Sequence, residues 1–195
     1  ADSITSGERQ VWRNQSFSSA DALQSLLEHY VVERIELGPF LNVEPRMERL
    51  YKVGAYALAK ELVVDVDASD YERPAACLET HHERFVCARC WPLVACAAEC
   101  LEHVLKKQLG FKHVLWLFSG GRGAHAWVCD ERALTMTPTA RLLMENTLLA
   151  LRTAVAGERP ATRGERPLLA ILERYSTSYD YTMLTLVPRI DSAVT

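Results

Sequence analysis

Two aspartates stand two residues apart at the end of an apolar run, Glu61-Leu-Val-Val-Asp65-Val-Asp67. Side chains alternate along a β-strand, so this spacing turns both carboxylates to the same side. Two close carboxylates repel unless a cation sits between them. Hard oxygen ligands of this kind suit Mg²⁺ or Mn²⁺, which also bind phosphates. The same pair would serve equally as a loop cap or as surface charge, and Asp70 beside it falls in a loop. Asp191, after Pro188-Arg189-Ile190 in an extended segment, is a candidate third carboxylate; its plain alternative is a solvated aspartate. Three carboxylates from two strands are what a two-metal phosphoryl-transfer site needs.

A second group follows in Phe118-Ser119-Gly120-Gly121-Arg122-Gly123-Ala124-His125, between two apolar stretches. Glycines let backbone N–H groups approach an anion closely. Ser119 adds a hydroxyl, Arg122 a planar cationic fork, and His125 a further donor or acceptor. The turn lacks the GK[ST] of a P-loop and opens no helix. It reads as a triphosphate cradle, or as a hairpin turn with no further duty.

The third group is Cys87-Ala88-Arg89-Cys90, preceded by Cys77, His81 and His82. Zn²⁺ takes thiolate and imidazole in a tetrahedron, and a CxxC turn offers two sulfurs to one ion. Cys77, one of His81 and His82, Cys87 and Cys90 would close a structural zinc site with no open position for substrate. The alternative is a redox CxxC, which belongs between a strand and a helix without flanking histidines. Cys96 and Cys100, one helical turn apart, read as small buried hydrophobes, and Cys129 reads as core.

The elements that must position these groups follow from pattern. Strands are expected over Arg9–Gln15, Val31–Leu37, Tyr51–Ala57, Glu61–Val66, His113–Phe118 and Ala124–Cys129. Ser18 or Ser19 caps a helix over Ala20–His29, Pro92 opens one that stops at Gly110, and Thr137-Pro138 starts one that ends near Gly157. Glu158–Pro167 is a charged loop, Leu168–Leu186 a last helical stretch, and Pro188–Thr195 extended. Strands interspersed with helices give an α/β or α+β class. The 195 residues suffice for one domain with a small insert, read as a catalytic domain over 1–195 with a cysteine-rich insert at 74–91 and a helical segment at 131–187. The chain begins with Ala1 and closes at Thr195 just past Asp191, so it is expected to be a fragment of something longer. Apolar residues make up 49% and charged residues 24%, with a net charge of −3, so any nucleic-acid contact must be a local patch. Charges interrupt every apolar run before membrane-span length, and no partnership with a membrane is expected.

Together the three groups resemble the catalytic small subunit of archaeo-eukaryotic DNA primases, and the eukaryotic members most. The likeness rests on Asn14-Gln-Ser-Phe17, on Glu61–Tyr71 with its DVDASDY, on Cys77–Trp91, on Gly110–Glu131 with SGGRGAH, and on PRID at 188–191, in that order. It implies a primase-type mixed β-sheet flanked by helices, with an inserted zinc-binding element. It also implies DNA-templated synthesis of short RNA primers from ribonucleoside triphosphates. Asp65, Asp67 and Asp191 would hold two Mg²⁺ or Mn²⁺ ions. Ser119, Gly120, Arg122, Gly123 and His125 would hold the nucleotide phosphates, with Arg13 as a further basic position. The resemblance brings expected partners: a large iron–sulfur subunit, a replicative DNA polymerase and a single-stranded DNA template. It places the protein in the nucleus, while reduced cysteines alone argue only for an intracellular setting. Eukaryotic relatives often carry an arginine where this chain has Gly121, and a histidine here stands in for a zinc-ligating cysteine. The family's basic residue and histidine beyond PRID fall past Thr195, which leaves activity of this stretch by itself in doubt. Two other readings compete: a primase-polymerase relative, and a non-catalytic zinc-containing scaffold of a replication complex.

Overall fold

The computed structural model describes residues 10–45, 47, 54–70, 77, 86–155, 170 and 189–190. The chain divides into two compact units, Ala1–Leu58 and Ala59–Thr195. In the first, α1 spans Ala20–His29, and its start is fixed by the Ser19 hydroxyl, which accepts the Ala22 N–H at 3.2 Å. It ends where Tyr30 turns to extended backbone and donates its N–H back to Leu26. The Tyr30 ring meets Trp12 edge-on, 4.6 Å between centroids. Strand β1 (Phe40–Leu41) pairs with β2 (Ala57–Ala59).

Two expected strands are corrected here. Residues 10–15 and 31–37 join no ladder among the described residues, and Val31 is 99% exposed. Alternation makes a segment extended, but only a neighbour's backbone groups make it part of a sheet. Of the expected strand at Tyr51–Ala57, residues 51–53 lie outside the described residues, and only Ala57 is in a strand.

The second unit carries β3 (Leu62–Asp67), α2 (Trp91–His103), β4 (Val114–Phe118), β5 (Gly123–Val128), the single turn α3 (Glu131–Leu134), α4 (Pro138–Val155) and β6 (Arg189–Ile190). Four of these form one sheet in the order β4-β5-β3-β6. Each of its three ladders is antiparallel, so the expected mixed sheet is, among the described residues, an antiparallel one, and the class is α+β. Most of the 131–187 segment beyond α4, and most of the 74–91 insert, lie outside the described residues.

One face of this sheet is the core. Leu62, Val64 and Val66 alternate inward on β3, directly opposite Val128, Ala126 and Ala124 of β5. Helix α2 contributes Leu93, Val94, Ala97 and Leu101 to the same buried cluster. Each fully buried Leu or Val contributes roughly 1.5–3 kcal/mol by removal from water. Cys96 and Cys100 are wholly buried there, as their apolar neighbours led us to expect. Cys129 is exposed, a correction: β5 ends at Val128, whose side chain takes the core position, and the next residue points away. Helix α2 widens into one π-turn over Val104–Gln108 and stops at Gly110, whose φ of +68° favours glycine. Among the described residues no helix is long and apolar enough to cross a membrane.

Two polar side chains lock this layer. Arg141, 5% exposed near the start of α4, donates to the carbonyls of Glu61 at 2.9 Å, Lys60 at 2.5 Å and Ala133 at 3.2 Å, tying α4 to the entry of β3. Asp130 accepts the N–H groups of Lys112 and His113, the latter at 2.8 Å, and so fixes the approach to β4. Burial would raise the Asp130 acid, but those N–H groups and the nearby His113 and Arg132 outweigh it and hold it below its ordinary 3.8. A depressed carboxylate stabilises the fold above its unfolded value and stops doing so as pH falls through its native one. Asp130→Ala is therefore expected to lower stability at pH 7, with the gap to the parent protein closing below pH 3.8, as read by urea unfolding at both pH values.

Candidate active site and cysteine centre

The opposite face of the sheet carries the chemistry. On β3 the valines face the core on alternate positions, which sends Asp65 and Asp67 to the other side. The antiparallel register then sets His125 of β5 beside Asp65 and Gly123 beside Asp67. His125 Nε2 lies 3.2 Å from Asp65 Oδ1. On the far side of β3, Arg189 of β6 is the ladder partner of Asp65. Asp191, two residues further on, lies outside the described residues.

The glycine-rich turn joins β4 to β5 and closes over the end of β3. Ser119 is engaged in holding its shape: the hydroxyl accepts the Gly123 N–H and donates to the Gly123 carbonyl, each at 3.1 Å. Gly120 has a φ of +84°, which a side chain would strain. A Cβ on Gly123 would stand 2.2 Å from the Val66 carbonyl oxygen, so only glycine lets the turn reach the strand. The Ala68 N–H donates to the Arg122 carbonyl at 3.1 Å, and the Arg122 Nε donates to Asp67 Oδ1 at 2.6 Å. The hairpin and cradle readings of the turn are thus compatible. Its closure is what delivers an arginine to the carboxylates.

Ser69, which sequence reasoning passed over, gives Asp67 Oδ1 two more hydrogen bonds, from its N–H and its hydroxyl, both 2.8 Å. The signal was present as a serine two residues after an aspartate, an ordinary local hydrogen-bonding pattern. Burial would raise the Asp67 acid; Ser69 and the Arg122 guanidinium outweigh it and hold the carboxyl below its ordinary 3.8. Both aspartates stand on one face, each with a cationic or protonatable partner from β5 or its turn. A face of hard oxygen donors with that much concentrated charge fits a divalent cation.

The cysteines form a separate cluster. The sulfurs of Cys77, Cys87 and Cys90 all lie within 4.8 Å of one another, and Cys77 and Cys90 are buried. One tetrahedral ion with bonds of about 2.3 Å would hold sulfurs about 3.8 Å apart. The CxxC is a tight turn: Cys90 and Trp91 both donate their N–H to the Cys87 carbonyl, and α2 starts at Trp91. Burial opposes ionisation of Cys87, but the N–H groups of Cys90 and Arg89 and the neighbouring thiols bring it from 9.0 down to about 7. Burial and the two adjacent sulfurs push Cys90 up to about 12. Three crowded sulfurs whose charges oppose one another fit a cation that can take all three as thiolates. His81 and His82 lie outside the described residues. Arg13 belongs to the first unit, where its carbonyl accepts from Gln15, whereas the carboxylate face is built within the second.

Residues 64–195, which hold the carboxylate strand, the cysteine turn and the glycine turn, match the family model of the DNA primase small subunit. The chain belongs to that family. Among curated DNA primase small subunits, that of Schizosaccharomyces pombe is 32% identical over 164 residues, 83% of this chain and 36% of the relative. That of Saccharomyces cerevisiae is 36% identical over 130 residues, 66% of this chain and 31% of the relative. The Drosophila melanogaster protein is 33% identical over 137 residues, 69% and 31% of the two chains. The chain thus spans about a third of the length of the primase small subunits it matches. The primase family model takes in both aspartates, all three clustered cysteines and the whole turn.

Proposed function

We propose that this chain is the catalytic part of a DNA primase, which makes short RNA primers from ribonucleoside triphosphates on a single-stranded DNA template. The observation that carries this reading is Asp65 and Asp67 on one sheet face, with His125 alongside and Arg122 brought down onto Asp67 by the glycine turn. Asp65, Asp67 and Asp191 would hold two Mg²⁺ or Mn²⁺ ions. Asp191 enters this set through the PRID resemblance, and its neighbour two residues back, Arg189, is the ladder partner of Asp65. When bound, the ions supply activation of a primer 3′-hydroxyl and neutralise charge at the departing pyrophosphate.

The chain's own part is positioning. Ser119, Gly120 and Gly123 shape the turn; Arg122 and His125 present donors to the nucleotide phosphates, and Arg13 is a further basic position by the resemblance alone. Cys77, Cys87, Cys90 and one of His81 and His82 hold a structural zinc ion at the root of α2. Partners under this reading are a large iron–sulfur subunit and a replicative DNA polymerase, and the setting is the nucleus.

The test is primer synthesis by the full-length protein with its large subunit, on a single-stranded template with ribonucleotides and Mn²⁺ or Mg²⁺, beside an Asp65→Ala/Asp67→Ala variant of matched folding and zinc content. Product from the parent protein alone is the expected result. Equal product from both forms would overturn the reading.

A further inference from the structure

Three donors converge on one oxygen of Asp67, and they are of two kinds. Arg122 comes from a turn 55 residues away in sequence, and its guanidinium is the group the proposed function directs to a triphosphate. Ser69 is local: it sits in the single 3-10 turn Ala68–Asp70 that follows β3, and both its N–H and its hydroxyl reach Oδ1 at 2.8 Å. An arginine drawn to phosphate oxygens holds the carboxylate less firmly, because its bond to Asp67, from Nε, belongs to the same planar fork that turns to the phosphate. The serine has no such second duty, since its donors are fixed by the backbone two residues beyond the acceptor.

We propose that Ser69 is a positioning residue: it keeps Asp67 in its metal-binding orientation while Arg122 turns from the carboxylate to the nucleotide. The inference rests on the reading of Asp65 and Asp67 as metal ligands and adds to it a division of labour between a permanent and an exchangeable donor. Groups that orient a metal ligand without touching the metal typically alter affinity by about 10–100-fold. Ser69 is exposed, so water competes for the bond and the low end applies.

The experiment measures Mn²⁺ affinity of the full-length protein from the free-ion paramagnetic resonance signal, with and without a non-hydrolysable ribonucleoside triphosphate. Ser69→Ala is expected to raise the Mn²⁺ dissociation constant about tenfold with nucleotide present, and by less without it, since Arg122 then still holds Oδ1. Ser69→Thr keeps the hydroxyl, has space for its methyl at this exposed position, and is expected to bind Mn²⁺ as the parent does. Unchanged affinity in Ser69→Ala overturns the positioning role. So does an equal loss in Ser69→Ala and Ser69→Thr, which would make the hydroxyl irrelevant. The Asp65→Ala/Asp67→Ala protein separates this failure from that of the underlying reading. If it loses Mn²⁺ while Ser69→Ala does not, only the positioning role falls; if it keeps Mn²⁺, the carboxylate site falls and Ser69 with it.

Discussion

Asp65→Ala/Asp67→Ala in the full-length protein is expected, on the proposed primase reading, to reduce primer synthesis about 10³-fold or more while leaving the fold and the proposed zinc centre intact. The size of the effect follows from what the carboxylates hold. Metal-ion stabilisation of a phosphoryl-transfer transition state is worth several kcal/mol, and each 1.36 kcal/mol is a factor of ten in rate. The fold survives because both side chains stand on the sheet face opposite the core, and neither belongs to the buried cluster. What the fold loses are partly exposed contacts: the Ser69 hydrogen bonds to Asp67, the His125 contact with Asp65, and an Arg122–Asp67 ion pair whose side chains are 33% and 25% exposed, worth about 1 kcal/mol after solvent screening. Steady-state primer yield, circular dichroism and zinc content measured on one preparation check all three parts. Retained activity, with Mn²⁺ affinity also retained, would remove the carboxylates from the chemistry.

On the proposed zinc reading, Cys87→Ser should abolish zinc binding and lower thermal stability, with Cys129→Ser as the control that does neither. The contrast is a matter of place. Cys87 belongs to the three-sulfur cluster and caps the turn that launches α2, the helix that supplies much of the buried core. Cys129 is exposed beyond the end of β5. Structural zinc is worth roughly 10–16 kcal/mol of apparent binding free energy in small peptides, and that binding is linked directly to folding. In a chain with its own hydrophobic core, loss of the ion is expected to loosen the cysteine turn and the start of α2 rather than unfold the sheet. Metal analysis after desalting, with a thermal melt of each variant, reads both effects. Full zinc content in Cys87→Ser would show that the cluster holds no ion through that sulfur.

Some features were legible in the sequence because their causes are local. Ser19 before an apolar-periodic stretch, Pro138 after Thr137, and Gly110 after α2 set helix ends through backbone geometry that involves only a few neighbouring residues. The shared face of Asp65 and Asp67 is of the same kind, since alternation is a property of any extended chain. Tertiary structure decided the rest. That Asp65 meets His125 and Asp67 meets Arg122 depends on the register of β3 against β5, which is set by packing of Val64, Val66, Ala124 and Ala126 across the sheet. Val31–Leu37 shows the converse, with an alternating pattern but no partner strand among the described residues. Nothing local in the sequence marks Arg141, around which the fold wraps three carbonyls. The chemistry-bearing residue types and their local spacing were the sequence's own; their partners across the sheet came only with folding, because pairing at long separation depends on which buried faces find each other.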